Sequence, residues 1–151
     1  MKKFKKFFIL IIIAISFFMT GCASKNVEGS LTDIMEKLYQ GIAEDEKPMM
    51  LSNIELNSEN FASYAFTEVE YKEAIASESM TGSIPHSVVL IRLEDASLAK
   101  QVVEDIEKNA NPRKWICVEA ENTYVMSKGD LVVLIMSNEL APKIKENFEN
   151  L

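Results

Sequence analysis

The sequence contains few of the residue types from which metal sites and disulfide-stabilised folds are built. Its 151 residues include one histidine, His86, and two cysteines, Cys22 and Cys117. A zinc site needs several His, Cys or carboxylate ligands close together, and two cysteines cannot provide a disulfide framework. We therefore expect no metal and no cofactor, and a fold whose stability comes from its apolar core.

Basic residues are also scarce, and this excludes one class of partner. The chain has 16 Lys and Arg against 23 Asp and Glu. Four of the lysines fall within the first six residues, so residues 22–151 carry a formal net charge of −11. Such a charge repels phosphate groups, which argues against nucleic acid and against an anionic lipid surface as partner. The chain also lacks a Gly-rich phosphate loop and a Gly-x-Ser-x-Gly nucleophile motif.

The first 22 residues have the pattern of an export signal. Four lysines precede an apolar run of 13 residues, 7–19, and Thr20-Gly21-Cys22 follows. This order is typical of a secretory signal, and the run is shorter than the about 20 residues that a membrane-spanning helix needs. The residues from Met19 to Cys22 resemble a bacterial lipobox. The resemblance implies that Cys22 receives a diacylglyceryl group on its sulfur and that a signal peptidase cuts before it.

The anchor predicts the location of the mature chain. Two acyl chains give stable membrane attachment, whereas one chain gives only marginal binding. We expect a signal peptide at 1–21, a polar tether at 22–29 and a single domain at 30–151, held on the cell membrane outside the cytoplasm. The alternative is an uncleaved membrane helix that happens to end in Gly-Cys, which the order of lysines, short core and cysteine disfavours.

The rest of the chain alternates between helical and extended periodicity. Apolar residues at helical spacing predict helices at 31–42, 95–109 and 138–151, with a shorter one at 58–64. Residues 69–76 and 115–126 read as strands with one apolar face, whereas the strands 87–93 and 131–136 are apolar on both faces. Consecutive strands joined by short turns pair antiparallel. We therefore predict an α+β domain after the signal helix, with three main helices packed on a four-stranded, mainly antiparallel sheet.

Two segments of the second half carry a family resemblance. They are NPRKWICVEA at 111–120 and KGDLVVLIMS at 128–137. Both resemble the C-terminal half of a family of small lipoproteins, common in Gram-positive anaerobes, that carry a single extracytoplasmic domain of unknown function. The likeness extends more weakly over 31–93. It implies a location and a fold, and it carries no activity or catalytic residue.

One candidate for nucleophilic catalysis is the pair of His86 and Cys117. Such a dyad needs hydrogen-bond contact and an oxyanion site, and the surrounding residues indicate neither. We expect Cys117 to be buried and inert in the strand 115–126, and His86 to face solvent in a turn. We interpret the methionines of the domain, among them Met49, Met50 and Met80, as core filling rather than as soft-metal ligands.

A second catalytic hypothesis rests on carboxylates. Glu119 and Glu121 share one face of a predicted strand at about 7 Å, close to the spacing of a glycosidase pair. Trp115 nearby could hold a sugar ring, although a packed Trp is the commoner role. Alternation on an exposed face explains the carboxylates without catalysis. We therefore favour a non-catalytic binding or accessory module at the cell surface, with an envelope protein as partner, over a small cell-wall hydrolase.

The two doubly apolar strands predict a partner surface. We expect the helices 95–109 and 138–151 to cover one sheet face, which leaves only the helix 31–42 and the loop 49–51 for the other. One helix is about 10 Å wide, whereas four strands span nearly twice that width. Part of the second face should therefore stay open and apolar, as at a partner site. The residues predicted for this patch are Val88, Leu90, Trp115, Val132 and Leu134.

Overall fold

The structure is a computed structural model that describes residues 25–151, so the predicted signal peptide and Cys22 lie outside the described residues. Its helices are α1 (Leu31–Leu38), α2 (Phe61–Ala65), α3 (Ala99–Asn109) and α4 (Ala141–Glu149). Its strands are β1 (Leu51–Glu55), β2 (Tyr71–Ser79), β3 (His86–Leu93), β4 (Asn122–Lys128) and β5 (Leu131–Ser137). One turn of 3-10 helix, Ala96–Leu98, precedes α3.

The strands form one sheet in the order β1-β2-β3-β5-β4, and every neighbouring pair is antiparallel. The α+β class is confirmed, but the described residues hold five strands and four helices, one strand more than predicted. The additional strand is β1, at an edge of the sheet. Its apolar residues are Leu51 and Ile54, both half-buried, and two such residues give too little alternation for a strand to be predicted.

The predicted strand 115–126 is wrong in its first half. β4 begins at Asn122, and residues 110–121 form a loop. A hydrogen bond of 2.9 Å from the Ala120 amide to the Pro112 carbonyl closes this loop, and the Glu121 amide donates to the Asn138 side chain. These bonds satisfy backbone groups that a strand would have paired with its neighbour.

Two helices cover each face of the sheet. α2 and α3 pack on one face together with Trp115, whereas α1 and α4 pack on the other. The expectation that α4 lies beside α3 is therefore wrong. α4 contacts α1 instead, and the Asn147 side chain of α4 donates to the Leu38 carbonyl at the end of α1.

The predicted apolar patch is wrong because its residues are core. Val88, Leu90, Val132 and Leu134 have 0 % exposed surface, and Trp115 has 8 %. The register pairs Val88 with Ile135 and Ile91 with Val132. Since paired residues share a face, Val88 points toward α1 and α4, whereas Val132 points toward α2 and α3. The open face is absent from the described residues because two helices, rather than one, span it.

Local sequence signals account for where several of the helices begin. Ser30 caps α1, because its Oγ accepts from the Asp33 amide at 3.1 Å. Asp95 accepts from the Ser97 amide at 2.8 Å, and it caps the 3-10 turn rather than α3 itself. Pro142 lies in the first turn of α4, where its missing N–H costs no helical hydrogen bond.

The two ends of the sheet differ, and we name them after residues of β3. At the Arg92 end, Arg92 pairs with Leu131 at the start of β5. At the His86 end, His86 pairs with Ser137, and β1 begins where β2 ends. With a rise of about 3.3 Å per residue, the two ends lie roughly 20 Å apart.

Candidate functional site at the His86 end of the sheet

The His86 end is the polar end of an otherwise apolar sheet. Three neighbouring strands place buried polar side chains there, which are Ser77, Glu78, Ser79, His86, Ser87 and Ser137. Because consecutive strand residues point to opposite faces, these side chains separate into two clusters, one on each face.

The first cluster is a chain of hydrogen bonds centred on His86. The Tyr39 hydroxyl lies 2.6 Å from Nε2 of His86 and donates to Oγ of Ser77 at 3.1 Å. Nδ1 of His86 lies 2.8 Å from Oγ of Ser137. Because the Tyr39 hydroxyl donates its hydrogen to Ser77, its oxygen accepts a hydrogen bond from Nε2–H of His86. Nδ1 of His86 then accepts a hydrogen bond from the Ser137 hydroxyl. All four side chains are therefore satisfied without a charge.

Burial keeps this cluster neutral. It lowers the pKa of His86 from 6.5 to about 4 and raises the pKa of Tyr39 far above its usual range. The expectation that His86 faces solvent is wrong, since its exposed surface is 0 %. His86 is the first residue of β3 rather than part of the preceding turn, so the sheet and Tyr39 enclose it.

The second cluster, on the opposite face, is a buried ion pair. Nζ of Lys114 lies 2.7 Å from Oε2 of Glu78 and 3.1 Å from Oγ of Ser87. Ser87 also donates to the same Glu78 oxygen at 3.0 Å. Nζ of Lys114 stands 5.0 Å from the ring centre of Tyr64 and 5.2 Å from that of Trp115. Burial lowers the pKa of Lys114, and the Glu78 carboxylate opposes that shift.

A serine hydroxyl beside a lysine amine could in principle act as nucleophile and base. Here Ser87 has 0 % exposed surface and gives its proton to Glu78, so a substrate has no access to its oxygen. Lys114 is itself paired with that carboxylate. Lys114 therefore attaches the loop 110–121 to the sheet. The contacts of Lys114, Glu78 and Ser87 provide no catalytic geometry.

The contacts of the candidate catalytic residues weighed above show no assembled site among the described residues. Both ring nitrogens of His86 have partners in Tyr39 and Ser137. Cys117 lies exposed in the loop 110–121, so the expectation that its thiol is buried is wrong. Glu119, which belongs to the same predicted strand 115–126, forms an exposed ion pair of 3.5 Å with Arg113.

Trp115 is held by the core rather than presented to a ligand. It belongs to the core cluster on the face of α2 and α3, with 8 % of its surface exposed. Its Nε1 is the one buried side-chain nitrogen or oxygen of the described residues that has no hydrogen-bond partner. The ring thus contributes burial and its contact with Lys114, which agrees with the packing role weighed above.

Large apolar side chains are exposed next to these clusters. They form what we call the apolar rim, which consists of Met49 (71 % exposed), Met50 (67 %), Met80 (56 %) and Ile116 (91 %). The Met80 amide donates to the Met50 carbonyl at 3.1 Å, which joins the start of β1 to the end of β2. Cδ1 of Ile116 lies 3.9 Å from the position that a Cβ on Gly82 would take, two residues after Met80.

The interpretation as core filling is therefore wrong for Met49, Met50 and Met80, whereas Met136 does lie in the core with 0 % exposed surface. The pair Met49-Met50 follows Pro48 and precedes a strand with only two apolar residues, so it has no apolar face to join. Met80 follows Ser79, the last residue of β2, and precedes the turn at Gly82. A methionine placed at the tip of a strand and beside a turn is a signal of exposure that helical or strand periodicity does not capture.

The described residues add neither a metal site nor a membrane-spanning helix to these clusters. Among residues 25–151 no group of three His, Cys, Asp or Glu side chains could hold a metal ion. No helix in the same range is long and apolar enough to cross a membrane. Comparison of the chain with models of protein families, with curated proteins and with solved structures found no match. The resemblance to small lipoproteins therefore stays a prediction from the quoted residues.

Proposed function

We propose that this protein is a lipid-anchored, extracytoplasmic binding module without catalytic activity. One observation carries the anchor, namely the ordered sequence of four lysines, 13 apolar residues and Thr20-Gly21-Cys22. A diacylglyceryl group on Cys22 would supply the two acyl chains that stable attachment requires. The domain then stands outside the cytoplasm, at the membrane surface.

The apolar rim supports the binding role. Methionine side chains are flexible and polarisable, which suits them to partner surfaces of variable shape. A cell-wall hydrolase is the alternative, and it would use Glu119 and Glu121. Glu119 is engaged by Arg113, and both carboxylates lie in a loop rather than on a common strand face. The described contacts therefore favour a partner-binding surface over a carboxylate pair.

Replacing Cys22 with alanine should remove the anchor. We expect the wild-type chain in the detergent phase after phase partitioning, with a diacylglyceryl-modified N-terminal Cys22 in its mass spectrum. The Cys22→Ala variant should accumulate as an unprocessed precursor or appear in the aqueous phase.

The matched control is Cys117→Ala, which removes the other cysteine and should leave partitioning unchanged. An unmodified Cys22 in the wild-type membrane fraction would contradict the anchor.

Replacing Ile116 with aspartate should weaken partner binding. Because Ile116 is 91 % exposed, the change should alter the free energy of unfolding by no more than about 0.5 kcal/mol. We expect the full-length wild-type protein to cross-link to its partner in its native membrane, and the Ile116→Asp variant to cross-link less.

Leu98→Asp provides the control, since Leu98 is another exposed apolar residue but lies near the Arg92 end. Equal cross-linking of both variants and the wild type would argue against the rim as the binding surface.

A further inference from the structure

Residues 25–29, which we call the docked segment, lie against the Arg92 end of the sheet. Nη1 of Arg92 donates to the Val27 carbonyl and Nη2 donates to the Gly29 carbonyl, each at 2.8 Å. The Val27 side chain packs against the core on the face of α1 and α4. The predicted tether is therefore attached to the domain over these residues.

The guanidinium that holds the docked segment is itself fixed. Nε of Arg92 donates to Glu73 of β2 at 2.8 Å, and Nη1 lies 3.3 Å from Asp130 after β4. The side chains of Arg92 and Asp130 are only 11 % and 7 % exposed. Because planar guanidinium groups lose little further freedom when they bind, this one is pre-organised to hold two backbone carbonyls.

Gly129 makes a second attachment point. It has φ +61° in the turn between β4 and β5. A Cβ at this position would lie 2.7 Å from Cα of Asn26 and 2.9 Å from the Lys25 carbonyl oxygen. The backbone of the docked segment therefore passes directly over the turn, at a distance that only glycine permits.

The docked segment limits how far the anchor can stand from the sheet. Two residues, Ala23 and Ser24, separate Cys22 from Lys25. The three Cα–Cα steps between Cys22 and Lys25 span at most roughly 11 Å when fully extended. The apolar rim lies at the opposite end of the sheet, roughly 20 Å away along the strands.

We propose that the docked segment orients the domain on the membrane, with the Arg92 end against the lipid headgroups and the apolar rim pointing away. This inference rests on the proposed lipid anchor at Cys22. It assigns a partner to each end of the sheet. The headgroup layer faces Arg92, and the apolar rim meets a protein that stands off the membrane rather than the acyl chains of the bilayer.

Energy transfer to the membrane tests this orientation. The lipidated full-length chain is placed in phosphatidylcholine vesicles that carry a headgroup-linked acceptor dye. Cys117 is exposed near the rim, and it is the thiol that a donor dye can reach once the sulfur of Cys22 carries lipid. A second protein carries Cys117→Ser and Thr32→Cys, which moves the donor to the first turn of α1 beside the docked segment.

The roughly 20 Å between the two ends predicts at least about twofold stronger transfer from position 32 than from Cys117. Gly129→Ala should reduce this difference, because the new methyl group displaces Asn26. Gly41→Ala is the matched control. Gly41 has φ +79°, so alanine is strained there as well, but its Cβ would meet only Cε of Lys143 at 3.8 Å.

A further variant that changes no residue of the domain keeps the test valid if Gly129→Ala fails to fold. Insertion of a long Gly-Ser segment after Ser24 leaves the domain intact and should also equalise the two donors. Equal transfer in the wild type, or stronger transfer from Cys117, would overturn the orientation while leaving the anchor in place. A chain with an unmodified Cys22 that stays off the vesicles would overturn the anchor itself, and the orientation with it.

Discussion

Replacing Arg92 with methionine should lower the free energy of unfolding by about 3 to 5 kcal/mol, the usual cost of removing one partner of a buried ion pair. The change removes the cation 3.3 Å from the Asp130 carboxylate, whose side chain is only 7 % exposed. It also removes the donors that hold Val27 and Gly29. The measurement is urea denaturation at neutral pH, with the slope compared to confirm that the unfolding stays two-state.

Two further variants identify the cause of that loss. Arg92→Met combined with Asp130→Asn should recover part of the stability, because no buried charge then remains unpaired. Arg113→Met should cost less than about 1 kcal/mol, since the pair of Arg113 and Glu119 is exposed. A loss below 1 kcal/mol for Arg92→Met as well would mean that water reaches Asp130 in solution.

Acidification should destabilise the domain through His86. Its pKa is 6.5 in the unfolded chain and about 4 in the folded chain. At pH values between these two, His86 of the unfolded chain binds a proton and His86 of the folded chain does not. The contribution of His86 is therefore complete above pH 6.5 and is lost progressively toward pH 4. The loss reaches roughly 3 kcal/mol at the acid end of this range.

The His86→Gln variant separates this effect from the titration of carboxylates. Glutamine can keep a hydrogen bond to Tyr39 or Ser137 but takes up no proton, so its stability should change less between pH 6.5 and pH 4. Unfolding free energies at several pH values give both curves. Parallel curves would show that His86 is already solvated in the folded protein. Two charged groups, Glu36 and Lys47, line a shallow cavity together with Tyr39 and Ser77, and they stay unchanged in the comparison.

The predictable part of the fold is the part with strong local patterns. β5 is apolar from Leu131 to Met136, β3 has an unbroken aliphatic run from Val88 to Ile91, and α1, α3 and α4 each have a regular apolar stripe. β1 could not be predicted, because an edge strand is stabilised by backbone pairing with β2 rather than by its own side chains. The side of the sheet on which α4 packs depends on the path of the chain, which periodicity does not encode.

The candidate site was less predictable for a related reason. His86 is buried by Tyr39 and Ser137, which lie 47 and 51 residues away in sequence, so no local sequence pattern predicts its environment. For Cys117 the prediction was wrong in the other direction, because a buried strand position was expected for a residue that is exposed. The apolar neighbours Ile116 and Val118 gave the segment the pattern of a strand. In the loop 110–121 Trp115 and Ala120 are buried, whereas Ile116 and Cys117 are exposed, and the hydrogen bond from Ala120 to Pro112 closes the loop.

The site that holds the docked segment also sets an order of folding events. Glu73, Arg92 and Asp130 come from β2, from β3 and from the turn after β4, so they converge only when most of the sheet has formed. The docked segment is therefore synthesised before every strand of the sheet and is among the last of the described residues to be fixed. During synthesis the docked segment therefore stays unattached until the C-terminal half of the sheet is made, and its immobilisation marks the completed sheet.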